Sequence, residues 1–164
     1  EYYNAQYGTN YISAMPTNLY GPNDNFDLHT SHVFPALIRK FYEAKTHNKP
    51  EVVVLGTGEP RREFLYVEDL ADALHFLMLN YNGNSIVNIG VGKDVTITEL
   101  AEIIKKVSGY QGKIVYDTSQ PDGTPQKLLD VTKIHSLGWK AKHSLYEGIE
   151  KTYQWFSNNI SCEQ

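Results

Sequence analysis

Apolar residues recur every three to four positions in two long segments of this chain, from about His32 to Thr46 and from about Glu68 to Leu79. That spacing is typical of an amphipathic helix with one face toward a core. The expected stripes are Val33, Leu37, Phe41 and Ala44 in the first segment and Leu70, Leu74, Leu77 and Met78 in the second.

Short runs rich in β-branched and aromatic residues lie between the helical segments and predict strands. They are Tyr11–Met15, Glu51–Leu55, Phe64–Val67, Ile86–Ile89 and Ile114–Tyr116. The first run is expected to end at Pro16, because proline cannot donate to a strand ladder, and the segment Pro16–Phe26 is expected to be a loop. Because strands and helices alternate in short units, the fold class predicted is α/β rather than a helical bundle or a β-sandwich.

Local signals mark several helix ends. Thr96–Glu99 and Ser144–Glu147 both have the pattern of a capping box, in which a hydroxyl and a carboxylate satisfy two free backbone donors. Gly109 is expected to end the helix that begins at the first box. At the other end of the chain, Glu1–Tyr7 resembles the last turns of a longer helix, and the first residue is not Met. The sequence is therefore expected to lack an upstream part.

Composition narrows the class of protein. Fifteen Lys and Arg residues against nineteen Asp and Glu give a net charge of −4, which does not favour nucleic acid as a partner. The apolar runs are much shorter than the roughly 20 residues of a membrane span, so no membrane association is expected. The single cysteine, Cys162, allows no intrachain disulfide, and a cytoplasmic location is the expectation.

Two common catalytic signatures are missing from the sequence. Gly56–Arg61 and Gly90–Val95 both lack the third glycine of the dinucleotide-binding pattern G-x-G-x-x-G, and we interpret both as turns. None of the twelve tyrosines has a lysine four residues further on, as the acid pair of short-chain dehydrogenases requires. The six histidines do not have metal-ligand spacing, so no metal site is expected.

Two positions stand out by their residue types. His32 follows a loop of turn-forming residues and precedes a predicted helix, a place from which side chains project into clefts. Arg61 and Arg62 lie between two predicted strands, where they form either a solvated charge pair or a guanidinium fork for a diphosphate. Both interpretations stay open on the residues alone.

Four stretches of sequence together resemble the GDP-L-fucose synthase family of extended short-chain dehydrogenases/reductases. They are Pro16–Phe26, Ser31–Val33, Gly58–Phe64 and Pro121–Val131. The first stretch alone would indicate only the wider superfamily, and the later ones narrow it. The resemblance runs in order from residue 1 to about Asn159.

The resemblance implies an NADPH-dependent enzyme that epimerises C3 and C5 of GDP-4-keto-6-deoxy-D-mannose and then reduces C4. In the family an N-terminal Rossmann domain carries the glycine fingerprint, a Ser, the Tyr–Lys pair and a catalytic Cys, which would all lie upstream of Glu1. Residues 1–164 would then be the C-terminal portion, mainly the substrate-binding domain, with residues 9–20 and 62–80 completing the Rossmann domain. The resemblance also implies a homodimer for the whole enzyme and no activity for this segment alone.

The resemblance assigns roles residue by residue. His32 matches the family's proton donor, which also lies beside the nicotinamide of NADP. Residues matching the loop along the nicotinamide are Pro16, Thr17, Asn18 and Leu19; those matching substrate contacts are Lys40, Leu55, Arg62, Lys113 and Asp122. Leu55 stands where some relatives have Trp, so that contact is altered. Without the resemblance, Lys40 could be a solvated helix residue and Asp122 a turn former.

Two alternatives belong beside this interpretation. One is another extended-superfamily epimerase or dehydratase that acts on a different nucleotide sugar. The other is a nucleotide-sugar-binding module without catalytic machinery. Preference among GDP, UDP and TDP sugars distinguishes the first alternative, and the presence of catalytic residues upstream distinguishes the second.

Overall fold

Parallel strand pairs organise the chain in the computed structural model, which describes residues 1–160. The helices are α1 (Tyr2–Tyr7), α2 (Val33–Thr46), α3 (Val67–Asn80), α4 (Ile97–Ser108), α5 (Thr132–Ser136) and α6 (Leu145–Asn159). The strands are β1 (Ala14–Pro16), β2 (Asn18–Tyr20), β3 (Glu51–Leu55), β4 (Arg61–Tyr66), β5 (Val87–Ile89), β6 (Asp94–Thr96), β7 (Lys113–Asp117) and β8 (Gln126–Lys127). This alternation confirms the α/β class.

Strand β4 is the centre of the largest sheet. Its second half pairs in parallel with β2, with Asn18 opposite Phe64 and Tyr20 opposite Tyr66. Its first half lies between antiparallel β6 and parallel β8. The two other pairs, β1 with β5 and β3 with β7, are also parallel. One strand therefore joins the beginning of the chain to its last third.

Two hydrophobic clusters form the core, and β4 contributes to both. The larger cluster packs α2, α4 and α6 around β3 and receives Phe64 and Tyr66. The smaller one surrounds α3, α5 and β5 and receives Leu65. Successive side chains of a strand point to opposite faces of its sheet, so alternate residues of β4 reach different clusters.

The local helix signals are confirmed. Thr96 and Ser144 each accept a hydrogen bond from the amide three residues on, and both capping boxes are complete. Gly109 ends α4 with a φ of 71°. The α2 stripe is buried except at Val33, which is 40% exposed.

The α3 stripe is only partly buried. Leu77 lies in the core, whereas Leu74 is 40% and Met78 74% exposed. The prediction that all four apolar positions pack inward was wrong, because among the described residues the buried apolar contacts of α3 are made by Ala73 and Leu77 in the smaller cluster, which includes Leu65 of β4.

The first strand ends at Pro16 as predicted, but it begins at Ala14 rather than at Tyr11. Pro16 is the last residue of β1 and lies opposite Ile89. Hydrogen bonds to β5 continue on both sides of β1, where Ser13 O accepts from Val87 N and Thr17 N donates to Ile89 O. Alternation directs the proline nitrogen away from β5, so its missing N–H costs the ladder nothing.

Long-range pairing overrides two further expectations from local sequence. Asn18–Tyr20 is a strand rather than part of a loop, because it pairs with β4. Arg61 and Arg62 belong to β4 itself rather than to the connection before it, because β6 and β8 pair with them. Among the described residues no helix has both the length and the apolar character needed to cross a membrane. Cys162 lies outside the described residues.

Candidate functional site

A cleft of about 450 Å³ opens where β1, β2 and β4 meet the start of α2. Parallel pairing of β2 with β4 brings its walls together from distant parts of the sequence. The lining residues are Thr17, Asn18, Leu19, Asp24, His32, Val33, Phe34, Arg62 and Phe64. Five positions singled out in the sequence therefore share one cavity, namely Thr17, Asn18, Leu19, His32 and Arg62.

The junction between β1 and β2 is held onto β4 by side-chain hydrogen bonds. Asn18 Nδ2 donates to the carbonyl oxygen of Glu63 at 2.7 Å, and Thr17 Oγ1 donates to the same oxygen at 3.3 Å. Thr17 is buried, with 7% of its surface exposed. These two bonds fix the main chain at the carboxyl end of β1, which is the end of a parallel strand where α/β proteins bind ligands.

Arg62 brings a positive charge to the cleft. Its Nη1 donates to the carbonyl oxygen of Arg61 at 2.7 Å. Within residues 1–160 no carboxylate lies in ion-pair distance of its guanidinium, whereas Arg61 is paired with Asp94 at 2.8 Å. A guanidinium without a carboxylate partner in a cleft is suited to bind an anion, and its planar fork matches a phosphate.

His32 and Asp24 place two proton-carrying groups in the same cleft. His32 is the N-cap residue of α2, but its side chain does not cap the helix and is exposed. Asp24 is half-buried and accepts a hydrogen bond from Asn25 N at 2.7 Å. Burial raises the pKa of the Asp24 carboxyl, while the hydrogen bond from Asn25 and the charge of His32 act in the lowering direction. An imidazole and a carboxyl group in one cleft can hold and transfer a proton.

Lys40 and Leu55 lie outside the lining of this cleft. Lys40 is on α2, where its Nζ donates to Val53 O of β3 at 2.9 Å, and burial lowers the pKa of this amine. Leu55 ends β3 with 60% of its surface exposed. Leu55 thus marks the carboxyl end of the β3–β7 pair.

Asp122 and Lys113 lie at opposite ends of that pair. Lys113 begins β7 opposite Glu51, four residues from the Leu55 end, a separation of about 13 Å at the rise of a strand. Asp122 lies in the loop after β7, and its carboxylate accepts hydrogen bonds from Thr57. The structure therefore places Asp122 beside the Leu55 end and Lys113 away from it. Pro16, at the end of β1, directly precedes the residues that line the cleft.

Sequence reasoning missed four residues that line the cleft. Asp24 lies in a run of turn formers, and Val33, Phe34 and Phe64 look like ordinary core positions. No signal in the sequence marks these four residues, since the exposure of Val33 at the beginning of an otherwise buried stripe is visible only in the structure. A cationic, an acidic and an imidazole group beside apolar walls are features that suit a cleft to an anionic organic ligand and to proton transfer.

The comparisons with known proteins give the family of the chain. The profile of the NAD dependent epimerase/dehydratase family matches residues 1–90, more than half of the sequence. The chain therefore belongs to the NAD dependent epimerase/dehydratase family. Its α/β fold, with the parallel strand pairs of a Rossmann-like protein, is consistent with this membership.

Three similar proteins are named for particular nucleotide sugars. The chain is 60% identical to a protein of Oryza sativa subsp. japonica named "Probable GDP-L-fucose synthase 1", covering 96% of this chain and 48% of the relative. A GDP-6-OMe-4-keto-L-xylo-heptose reductase from C. jejuni superposes with a TM-score of 0.89 at 38% identity, over 96% of this chain and 57% of that one. A GDP-L-fucose synthetase from Naegleria fowleri bound to NADP gives 0.86 at 35% identity, over 92% and 47%. The chain spans about half the length of the curated relatives it matches.

Proposed function

We propose that this chain is the substrate-binding portion of a GDP-L-fucose synthase, which epimerises C3 and C5 of GDP-4-keto-6-deoxy-D-mannose and reduces C4 with NADPH. The observation that carries the proposal is the presence of His32 and an Arg62 without a carboxylate partner in one cleft. The 60% identity to the rice protein supports the choice among nucleotide sugars. Each of the three relatives is also named for a GDP-linked sugar.

We further propose that the chain is the C-terminal portion of its enzyme. The sequence has neither the glycine fingerprint nor the Tyr-x-x-x-Lys pair, and it covers about half of its relatives. The parallel pair β2–β4 joins residues 9–20 to residues 62–80 and supports their assignment to one Rossmann domain shared with an upstream part. On this proposal the segment alone does not turn over the keto sugar, and the whole enzyme is a cytoplasmic homodimer, as the resemblance implies.

The chemistry requires a proton to be removed from C3 and C5 and returned on the other face of the sugar. The ketone at C4 acidifies both positions, and an acid must then protonate the enolate. In the proposed mechanism the Cys that the resemblance places upstream removes the proton, and the imidazole of His32, a common general acid, returns one on the opposite face. Arg62 holds the diphosphate, and Phe34 and Phe64 exclude water from the same cleft.

The residues present suit the nicotinamide end of NADPH. The buried Thr17 fixes the end of β1, so Thr17, Asn18 and Leu19 lie along one wall of the cleft that His32 also lines, and Pro16 directly precedes them. When bound, NADPH supplies the hydride for reduction at C4. The chain's contribution is to hold the cofactor ring and the sugar in one cavity.

Calorimetric titration with GDP, UDP and TDP tests the proposal. GDP should bind most tightly, and Arg62→Ala should weaken that binding while Arg61→Ala, the matched control, leaves it unchanged. Equal affinity for the three nucleotides would refute the choice of substrate, and a preference for UDP or TDP would favour another nucleotide-sugar enzyme. In the enzyme that contains this chain, binding without oxidation of NADPH by the keto sugar would favour a non-catalytic module.

A further inference from the structure

Two loops meet at the carboxyl ends of β3 and β7. The first, residues 56–60, joins β3 to β4, and the second, residues 118–125, joins β7 to β8. Each loop is anchored at its base: Gly56 N donates to Asp117 O at 2.9 Å, and Arg61 N donates to Pro125 O at 2.8 Å. The middle of the second loop has to be held by something else.

The Asp122 carboxylate makes that connection. Its Oδ1 accepts from Thr57 N at 2.9 Å, and its Oδ2 accepts from Thr57 Oγ1 at 2.6 Å. Gly56 has a φ of +80°, and a Cβ there would collide with the Asp122 carboxylate, so the close approach requires glycine. Both carboxylate oxygens therefore bind the neighbouring loop, and these bonds lower the pKa of Asp122.

The connection extends to Arg62. Gly123 follows Asp122, and a Cβ at Gly123 would lie 3.3 Å from Arg62 Nη2. The opposite side of the guanidinium donates through Nη1 to Arg61 O. The Arg62 side chain thus lies between the carbonyl group of Arg61 and Gly123 of the loop that Asp122 joins to Thr57, and it lines the cleft.

We propose that Asp122 is a positioning residue rather than a substrate ligand: with Thr57 it forms a latch between the two loops, which holds Gly123 against Arg62 and orients the guanidinium for the diphosphate. The proposal rests on the proposed function, because the diphosphate is the ligand inferred for Arg62. Fixing a cationic side chain before binding lowers the entropy lost when the ligand is bound. The role expected from the resemblance, direct contact between Asp122 and substrate, makes a different prediction.

A double-mutant cycle separates the two roles. If Asp122 acts through Thr57, then Asp122→Ala should weaken GDP binding roughly three- to tenfold, and the double variant should be no weaker than Asp122→Ala alone. Thr57→Val should also weaken binding, but by less, because the bond from Thr57 N to Asp122 remains. Thr57→Ser keeps the hydroxyl and should therefore bind GDP as tightly as the unaltered chain. Ser119→Ala is the matched control, because Ser119 Oγ donates to Asp117 Oδ1 at 2.6 Å within one loop and does not cross to the other. The affinities come from calorimetry.

A titration without ligand checks the contact itself. The carboxyl carbon of Asp122, followed by NMR, should titrate below the ordinary pKa of an aspartate, and Thr57→Val should raise that pKa toward the ordinary value. The latch proposal would be overturned if Asp122→Ala weakened GDP binding and Thr57→Val did not, or if Thr57→Val left the pKa of Asp122 unchanged. If the unaltered chain shows the low pKa but binds no GDP, the proposed function fails, and the diphosphate role of the latch fails with it, although the contact between the loops is established.

Discussion

The two faces of β4 carry similar residues and use them in opposite ways. On one face Arg61 pairs with Asp94, and the fully buried Glu63 accepts from Gly92 N at 2.6 Å and Leu129 N at 3.1 Å. On the other face Arg62 and Phe64 line the cleft, and the guanidinium of Arg62 has no carboxylate partner among residues 1–160. Strand alternation alone assigns neighbouring charges to these two environments.

The difference teaches how to separate structural charges from functional ones. A charge that supports the fold is satisfied within the chain, because a buried polar group without a partner is costly. A charged side chain in a cleft that has no counter-ion in the chain is instead available to pair with a charged ligand. Substitutions on the face of Arg61 and Glu63 should therefore lower the stability of the protein, whereas substitutions on the cleft face should change ligand binding and the reaction rate.

The largest expected effect is on the cleft side. His32→Gln keeps the size and hydrogen-bonding capacity of the side chain but removes the titratable proton, so epimerisation by the enzyme that contains this chain should slow by roughly 10² to 10⁴ fold. Stability should change little. Exchange of deuterium into C3 and C5, followed by NMR, measures the step directly. Exchange and inversion at the normal rate would remove His32 from the mechanism.

The second largest effect is expected on the opposite face of β4, where Glu63 is buried. Glu63→Ala leaves the amides of Gly92 and Leu129 without their acceptor and should lower the free energy of unfolding by about 2 to 4 kcal/mol. Urea denaturation followed by circular dichroism gives this quantity. Glu63→Gln, which keeps one acceptor oxygen, should lose less. A variant as stable as the unaltered protein would show that the buried carboxylate does not support the fold.

Arg62 and Arg61 provide the direct test of the comparison. Removing a charge-assisted contact from Arg62 should raise the Kd for GDP, and KM in the enzyme, by roughly 10- to 100-fold, with kcat and stability nearly unchanged. Arg61→Ala should lower the urea midpoint slightly and leave GDP binding alone, because its ion pair is partly exposed. A lowered kcat with an unchanged KM for Arg62→Ala would contradict its role.

The smallest effect concerns pH. The pKa of Asp94 is lowered by a hydrogen bond from the Gln126 side chain and then by Arg61. The native state therefore binds this proton less readily than the unfolded chain, so the contribution to stability is present above the unfolded pKa, near 4, and disappears as the pH falls through the lower native value. Asp94→Asn should be less stable at pH 7, and the gap should narrow below about pH 4. A gap that is constant with pH would exclude ionisation of Asp94 as the cause.

Local chemistry accounts for the parts of the fold that the sequence predicted. The capping boxes at Thr96 and Ser144 and the glycine end of α4 depend on residues within one turn of each other. The β-branched residues of Glu51–Leu55 likewise favour a strand, but the prediction that this strand is buried was only half right, since alternate side chains are exposed. For the site, the resemblance named five of the nine residues that line the cleft. Asp24 was missed because a turn-forming aspartate carries no local sign that a distant strand will partly bury it.

The sequence by itself determined the α/β class, the main helices and where they begin and end, since periodicity and caps act over a few residues. Only the tertiary structure decided that Asn18–Tyr20 is a strand, that Glu63 is satisfied by the amides of Gly92 and Leu129, and that Arg62 lines a cleft. Each of these depends on a partner in a distant part of the chain, such as Phe64 opposite Asn18. Which side chains are buried and which charges find a partner depends on how the strands pair, and no local pattern in the sequence specifies that.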